Sequence, residues 1–225
     1  LDYFKLGGTA ISPRQEYLAW AHDAKGSEYF TVKIRDISTD TDLPDILTNT
    51  SGAIAWSLDA KFIFYILLDE NHRPSKVMRH KLGAEQADDV MVYEEEDPGF
   101  FVSLSQSRSD DLIFISAHDH ETSEVHLIDA AKPEQKPITI AFRQQHIEYD
   151  VSHDAKRNRL VILTNKDAVD FQLMWADIDT PDRWHELVPH KKGALILEVA
   201  AFENFIVWLY REKALPKIKI LSTET

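Results

Sequence analysis

The chain has 225 residues, of which 44% are hydrophobic and 10% aromatic, so it can build a sizeable core. It contains no cysteine, which excludes disulfides, thiolate nucleophiles and cysteine-ligated metals. The formal net charge of -13 disfavours nucleic acid, whose phosphates would be repelled, and suits a cationic partner. No apolar run approaches the roughly 20 residues of a membrane helix, and the amino terminus lacks signal-peptide features. We therefore expect no membrane partner and a cytoplasmic location, with the periplasm left open.

Taken in chain order, the elements repeat. A strand leads into a serine and a polar turn, and a short apolar strand follows ("EYLAWA", "FIFYIL", "DLIFIS", "RLVILT"). These serines are separated by 45, 48 and 47 residues: Ser12, Ser57, Ser105 and Ser152. Asp59, two residues after Ser57, raises the question of catalysis, but the fifth repeat lacks the serine. The pattern favours a turn hydroxyl that bonds nearby backbone.

The third strand of each repeat keeps the same period. Its anchors follow one another at steps of 45, 48, 48 and 45 residues: Val32, Val77, Val125, Leu173 and Ile218. A fourth strand closes each unit, as in "DVMVYEE" and "PITIAF". Four strands in about 45 residues are typical of a β-propeller blade. The prediction is one all-β domain over 1-225, an incomplete β-propeller of about five four-stranded antiparallel blades. Its units are 5-50, 51-97, 98-145, 146-192 and the incomplete 193-225.

Two segments carry a family resemblance: "LLDENHRPSKVMRHKLG" and "TSEVHLIDA". They resemble the propeller of the oligopeptidase B group in the prolyl oligopeptidase family of serine peptidases, and the similarity extends from about Tyr3 to Leu221. The resemblance implies a seven-bladed propeller in the full protein and a separate C-terminal α/β-hydrolase domain. It further implies cleavage of short peptides after Lys or Arg by a Ser-Asp-His triad, with the propeller excluding folded proteins.

The triad itself is not expected in this chain. A nucleophile elbow needs Gly-x-Ser-x-Gly, and no two of the seven glycines are four residues apart. We assign no catalytic residue, cofactor or metal, and expect the chain to be inactive alone as part of a longer peptidase. The expected partners are the C-terminal hydrolase domain of the same polypeptide and short basic peptides. The alternative is a stand-alone β-propeller interaction scaffold, which a downstream Gly-x-Ser-x-Gly would exclude.

Charged residues supply the candidate sites. Four acids are candidates for attracting basic substrates: Asp69, Glu70, Glu148 and Asp150. Glu148 and Asp150 lie in the strand leading into a serine turn, and first strands line the channel of a propeller. Three residues are candidates for inter-domain ion pairs: Asp2, Arg73 and Arg143. The competing interpretation for Glu148 and Asp150 is ordinary hydrogen bonding at the blade ends, and for Asp2 it is a frayed terminus.

Two further patterns have structural and functional interpretations. "SAHDHETSEVHL" is either a polar hairpin tip or a metal site formed by His118, His120 and His126 with neighbouring carboxylates. The run Glu94–Asp97 is either a solvated connection or a negative rim for basic peptides. The large aromatic residues of the apolar strands are expected to form the core between blades: Trp20, Trp56, Phe62, Phe64, Phe114, Trp175, Phe205 and Trp208.

Overall fold

The structure, a computed structural model, describes residues 3–223 and consists mainly of β-strands. Two single-turn 3-10 helices, Gln86–Asp88 and Ala155–Arg157, lie in connections between strands. The strands are β1 (Lys5–Ile11), β2 (Tyr17–Asp23), β3 (Phe30–Asp36), β4 (Thr41–Trp56), β5 (Phe62–Leu68), β6 (Pro74–Lys81), β7 (Val90–Glu94), β8 (Phe101–Gln106), β9 (Leu112–His118), β10 (Ser123–Asp129), β11 (Ile138–Ala141), β12 (Tyr149–Asp154), β13 (Arg159–Thr164), β14 (Gln172–Asp177), β15 (His185–Val188), β16 (Ala194–Ala201), β17 (Phe205–Glu212) and β18 (Leu215–Ser222).

The strands form antiparallel sheets in which each strand pairs with its neighbours in the chain. A seven-stranded sheet, β1 to β7, is followed by two four-stranded sheets, β8–β11 and β12–β15, and by the three-stranded β16–β18. The first sheet is large because β4 pairs with β3 through one part and with β5 through the other. The all-β fold of antiparallel four-stranded sheets is confirmed. In the described range, no helix is long and apolar enough to cross a membrane.

The chain forms two compact units. The first contains residues up to Gln106, Asp110–Ala117 and His126–Ile138, and the second contains Ser107–Ser109, His118–Val125 and the chain from Thr139 onward.

In the first unit, β5 shows why a strand can be apolar on both faces. Ile63 and Tyr65 pack in one hydrophobic cluster with Trp56. The alternate residues, Phe64 and Ile66, pack in another cluster with residues of β8, β9 and β10. Because successive side chains of a strand point to opposite faces, a strand covered on both sides needs an uninterrupted apolar run. The "FIFYIL" pattern is explained in this way.

The second unit repeats this arrangement around β13. Val161 and Leu163 pack in a cluster with Ile206 and Trp208 of β17. The polar positions of the unit lie mainly in the turns, so its core is formed by the strands themselves. The aromatic residues do not all follow the expected pattern, because Phe205 is 46% exposed and Trp175 is only half-buried, with Arg159 over its ring.

Two glycines allow β1 to approach β4 closely. A Cβ atom added to Gly8 would lie 2.1 Å from the carbonyl oxygen of Gly52, a distance that no side chain permits. Gly52 itself has a φ of +88°, in the left-handed region that glycine adopts without a steric penalty. The pairing of β1 with β2 shifts register between Leu6 and Thr9, at the same place.

The turn serines have the expected backbone role. The Ser12 hydroxyl accepts hydrogen bonds from the Glu16 and Tyr17 amides at 3.1 and 3.0 Å. The Ser57 hydroxyl accepts from the Phe62 amide at 2.9 Å and donates to Asp59 at 2.7 Å. These bonds satisfy backbone donors in a tight turn. The Ser57–Asp59 pair therefore serves the structure of the turn.

The expected alignment is wrong by two residues in the third and fourth repeats. Ser12 and Ser57 are buried and lie five residues before the next strand begins. In the third repeat that position belongs to the buried Ser107, whereas Ser105 lies exposed on β8. In the fourth it belongs to Asp154, a buried carboxylate that accepts from the Arg157 amide in the turn.

The first unit contains a buried network of one histidine and two carboxylates. His80 of β6 places Nε2 2.9 Å from Asp45 and Nδ1 2.7 Å from Asp89, and the three side chains are at most 1% exposed. The Tyr65 hydroxyl donates to the second oxygen of Asp89 at 2.8 Å, and the Gly83 amide donates to Asp45 at 2.6 Å. Each ring nitrogen of His80 therefore faces an oxygen of a different buried carboxyl group.

The second unit contains a network with the opposite charges at its surface. Glu212 of β17 lies 2.6 Å from the ammonium groups of both Lys191 and Lys217. Hydrogen bonds from Lys191 and then Lys217 lower the pKa of Glu212 to about 2. Because the two lysines are 70% and 43% exposed, water competes for every charge in this network.

Candidate functional site on strand β12

The start of β12 is held by the buried Tyr149. Its hydroxyl accepts from the Val125 amide at 2.7 Å and donates to the Ala141 carbonyl at 2.6 Å. Burial raises the pKa of Tyr149 to about 12, so the hydroxyl keeps its proton for this bond. Because strand residues alternate between faces, the side chain of Asp150 points away from the buried face that Tyr149 occupies.

Asp150 is exposed and lies near a second carboxylate. Its Oδ1 accepts from the Val151 amide at 2.8 Å. The Ala201 amide donates to the Ser152 hydroxyl at 3.0 Å, which places β16 beside β12. Desolvation by the surrounding protein, followed by repulsion from Glu198 of β16, raises the pKa of Asp150. The two acids form a negative patch, which we call the β12–β16 carboxylate pair.

Glu148, the residue before β12, occupies a second acidic environment. Its amide donates to Asn165 Oδ1 at 2.8 Å, and Asn165 Nδ2 donates to Glu148 Oε1 at 3.4 Å. Desolvation, then repulsion from Glu121 and Asp119, raises the pKa of Glu148. Glu121 also contacts His146 at 2.6 Å. Negative charge therefore accumulates at this end of the strand, where a cation would relieve the repulsion.

The predicted residues between β5 and β6 have roles within the first unit. Asp69 Oδ1 accepts from the amides of Asn71 and Arg73 at 2.8 and 2.9 Å, which closes the hairpin turn. Arg73 donates to the carbonyl oxygens of Phe100, Glu95 and Asp97 at 2.9, 2.8 and 2.6 Å. These bonds occupy two of its guanidinium nitrogens. Glu70 is exposed at the tip of the turn.

Of the other two predicted inter-domain residues, the structure describes only Arg143. Arg143 holds Glu124, with the amide donating to Glu124 Oε2 at 2.8 Å and the guanidinium to Oε1 at 3.3 Å. This pair lies within the second unit. Asp2 lies outside the described residues.

The histidine-rich segment forms a hairpin tip. β9 ends at His118, β10 begins at Ser123, and Asp119 accepts from the amides of Glu121 and Thr122 at 2.8 and 2.6 Å. Within residues 3–223, no three His, Asp or Glu side chains are grouped so that they could hold a metal ion. In the run Glu94–Asp97, Glu95 is buried and accepts from the Tyr93 hydroxyl at 2.9 Å, so this part of the run is not solvated.

Glu198 was missed from the sequence, although a signal was present. It follows Asp150 by 48 residues, which is also the step between two of the third-strand anchors. Each is an acid in a strand that is otherwise mainly apolar, "IEYDVS" and "LILEVAA". Superposing the fourth and fifth repeats on their first strands would have paired the two. The serine alignment could not do so because the fifth repeat lacks the serine.

The repeating sets have four antiparallel strands, with three in the last, β16–β18, and they are blades of a β-propeller. The family model of the prolyl oligopeptidase N-terminal beta-propeller domain matches residues 2–225. The chain belongs to this family.

Named relatives are similar over nearly the whole chain. Dipeptidyl aminopeptidase BI of Pseudoxanthomonas mexicana is 32% identical, covering 99% of this chain and 31% of the relative. Protease 2 of Moraxella lacunata is 29% identical, covering 98% and 32%. The structure of oligopeptidase B from Leishmania major aligns with a TM-score of 0.93 at 29% identity, covering 99% of this chain and 32% of that one. The chain thus spans about a third of the length of the relatives it matches.

Proposed function

We propose that this propeller domain belongs to a serine oligopeptidase that cleaves short peptides after Lys or Arg. In this proposal a separate C-terminal α/β-hydrolase domain carries a Ser-Asp-His triad, and the propeller restricts access to it. The observation that carries the proposal is the family match over residues 2–225, in relatives about three times as long. The names of those relatives describe peptidases.

The charge of the domain supports a preference for basic substrates. The formal net charge is -13, and the β12–β16 carboxylate pair and the acids near Glu148 hold like charges close together. A cationic peptide side chain reduces that repulsion when it approaches. Such attraction mainly raises the association rate and weakens as salt screens the charges.

The first experiment tests whether the peptidase activity requires more than the 225-residue propeller chain. The 225-residue chain and the longer polypeptide that contains it are assayed with an arginyl amide, with a serine-directed inhibitor as control. We expect activity only in the longer polypeptide, abolished by the inhibitor. Inhibitor-sensitive activity in the 225-residue chain would contradict the proposal, and so would a reading frame that ends without a nucleophile elbow.

The second experiment tests the role of the acids. In the longer polypeptide, Asp150→Asn with Glu198→Gln should lower kcat/KM for a dibasic peptide at low salt by a few-fold, with less change at high salt. A neutral peptide with one cleavable Arg serves as the reference substrate, and Glu186→Gln, an exposed acid of β15, as the control variant. An equal loss for both substrates at all salt concentrations would contradict an electrostatic role.

A further inference from the structure

The second unit contains a cleft that the proposed function does not use. Three turns border it: those that follow β8, β12 and β16. Its volume is about 520 Å³, comparable to the pockets that hold small organic ligands. We call it the turn cleft, and its chemically distinctive lining residues are Arg108, Ser109, His153, Lys156, Phe202 and Glu203.

One wall of the turn cleft is polar and held in place by hydrogen bonds. The Ser109 hydroxyl lies 2.9 Å from His153 Nδ1 and 3.1 Å from the Ser107 hydroxyl. His153 is 8% exposed, so the ring is fixed by its surroundings. These contacts hold a hydroxyl and an imidazole in defined positions, where they can orient a polar ligand group.

The lining also contains an aromatic ring beneath a cation. The Arg108 guanidinium lies 4.9 Å from the centroid of Phe202, and Phe202 is 43% exposed. Stacking on an aromatic ring leaves the in-plane N–H groups of a guanidinium available to an anion. The same ring offers an apolar surface to a flat ligand.

Both cations of the turn cleft lack a carboxylate partner. Within residues 3–223, neither Arg108 nor Lys156 forms an ion pair, and the Lys156 ammonium donates to the neutral Asn204 side chain at 2.5 Å. Nearby, Arg157 and Arg159 both pair with Asp154 at 3.4 and 3.0 Å. In a chain with 38 acidic and 25 basic residues, two uncompensated cations on one cleft favour an anionic ligand.

The remaining acid narrows the choice of ligand. Glu203 lines the same cleft, so a second negative charge on the ligand would be repelled. We propose that the turn cleft binds a monoanionic carboxylate with a flat apolar or aromatic body. The carboxylate contacts Arg108 and Lys156, and the body lies against Phe202. Either a free aromatic acid or the C-terminal residue of a peptide carries this chemistry.

Binding to the 225-residue chain and to the longer polypeptide, followed by NMR titration and calorimetry, tests the proposal. The probes are 3-phenylpropionate, acetyl-Gly-Phe as the free acid and acetyl-Gly-Phe amide. We expect saturable binding of at least one free acid with a Kd of about 1 mM or below, and none of the amide. Preference for 3-phenylpropionate or for the dipeptide acid distinguishes the two sources of carboxylate.

Matched variants then locate the site. Arg108→Gln and Lys156→Gln should each weaken binding by about tenfold, because each removes a charge-assisted hydrogen bond. Arg14→Gln, an exposed arginine in the corresponding turn of the first sheet, should leave binding unchanged. A melting curve confirms the fold of each variant, and two cleft variants are used so that the loss of one to misfolding still leaves a test. The proposal is overturned if no free acid binds, if the amide binds equally well, or if the folded cleft variants bind as the unaltered chain does.

Discussion

The two units each contain a network of three ionisable side chains, one buried and one exposed. In the first unit a histidine lies between two carboxylates, and His80, Asp45 and Asp89 are at most 1% exposed. In the second unit Glu212 lies between two lysines that are 70% and 43% exposed. The ion-pair distances are similar, 2.7 and 2.9 Å against 2.6 Å. The comparison shows that short distances alone do not determine how much such a contact stabilises the fold. Burial sets how far the free energy of unfolding falls when one partner is removed.

The largest effect should follow from removing the buried imidazole. His80→Gln should lower the free energy of unfolding by about 3–5 kcal/mol, since two buried carboxyl groups lose the ring nitrogens that they contact at 2.9 and 2.7 Å. Urea denaturation followed by tryptophan fluorescence measures the change. His120→Gln, at the exposed tip of the β9–β10 hairpin, is the control and should be neutral. A His80 variant as stable as that control would show that the buried network contributes little.

A smaller loss of stability is expected when His80 stays and one neutral hydrogen-bond donor is removed. Tyr65→Phe deletes the hydroxyl that donates to Asp89 at 2.8 Å, leaving a buried carboxylate oxygen without that donor. The expected cost is about 1–3 kcal/mol in the same denaturation experiment. Tyr17→Phe is the matched control, because within the described range the Tyr17 hydroxyl has no hydrogen-bond partner. Equal effects of the two changes would assign the loss to the ring and not to the hydrogen bond.

In the β12–β16 carboxylate pair, a negative charge destabilises the folded protein. The pKa of Asp150 is raised in the folded protein, so the ionised carboxylate destabilises the fold. This destabilisation is absent below the unfolded pKa of about 3.9 and fully present above the folded pKa. Asp150→Asn should raise the melting temperature by about 1–3 °C at pH 7 and leave it nearly unchanged at pH 3.5. Scanning calorimetry at both pH values measures this, with Glu186→Gln as the control. A gain that persists at pH 3.5 would rule out the electrostatic explanation.

The smallest effect is expected in the exposed network. The pKa of Glu212 is lowered to about 2, so its contribution is present above the unfolded pKa of about 4.3 and is lost as the pH falls through about 2. At pH 7, Glu212→Gln should lower the melting temperature by no more than about 1 °C, because solvent screens both pairs. Adding 1 M salt should remove even that difference. A loss of stability comparable to that of His80→Gln would mean that exposure does not determine how much these networks stabilise the fold.

The strands and their order were predictable because their patterns are local. A run such as "FIFYIL" is apolar on both faces since each face packs in a different cluster, and the sequence shows that directly. The turn of the third repeat was misplaced for a local reason as well. "SLSQSRS" places a serine at every second position, and spacing alone cannot choose among them. The distance of five residues from the buried turn residue to the next strand selects Ser107.

The sites were less predictable because they depend on contacts distant in the chain. His80 lies in "MRHKLG", which is polar in the sequence, yet its two partners come from β4 and from the residue before β7. Arg73 was expected to be available for another domain, and its three carbonyl acceptors lie more than 20 residues away. Charge can be read from the sequence, whereas the partner of a charge is set by the fold. All seven predicted site residues stay predictions for substrate or domain contacts: Asp2, Asp69, Glu70, Arg73, Arg143, Glu148 and Asp150.

The length of β4 has a consequence for how the molecule unfolds. A 16-residue strand belongs to the first four-stranded set at one end and to the second at the other, with Gly52 held against Gly8 between them. The two sets are therefore joined in one seven-stranded sheet through β4, with an irregular register between Thr50 and Ile54. Loss of hydrogen bonds on one side of Gly52 therefore removes support from the other side. The first seven strands should behave as one cooperative folding unit, with amide protons along both halves of β4 exchanging in a single opening event.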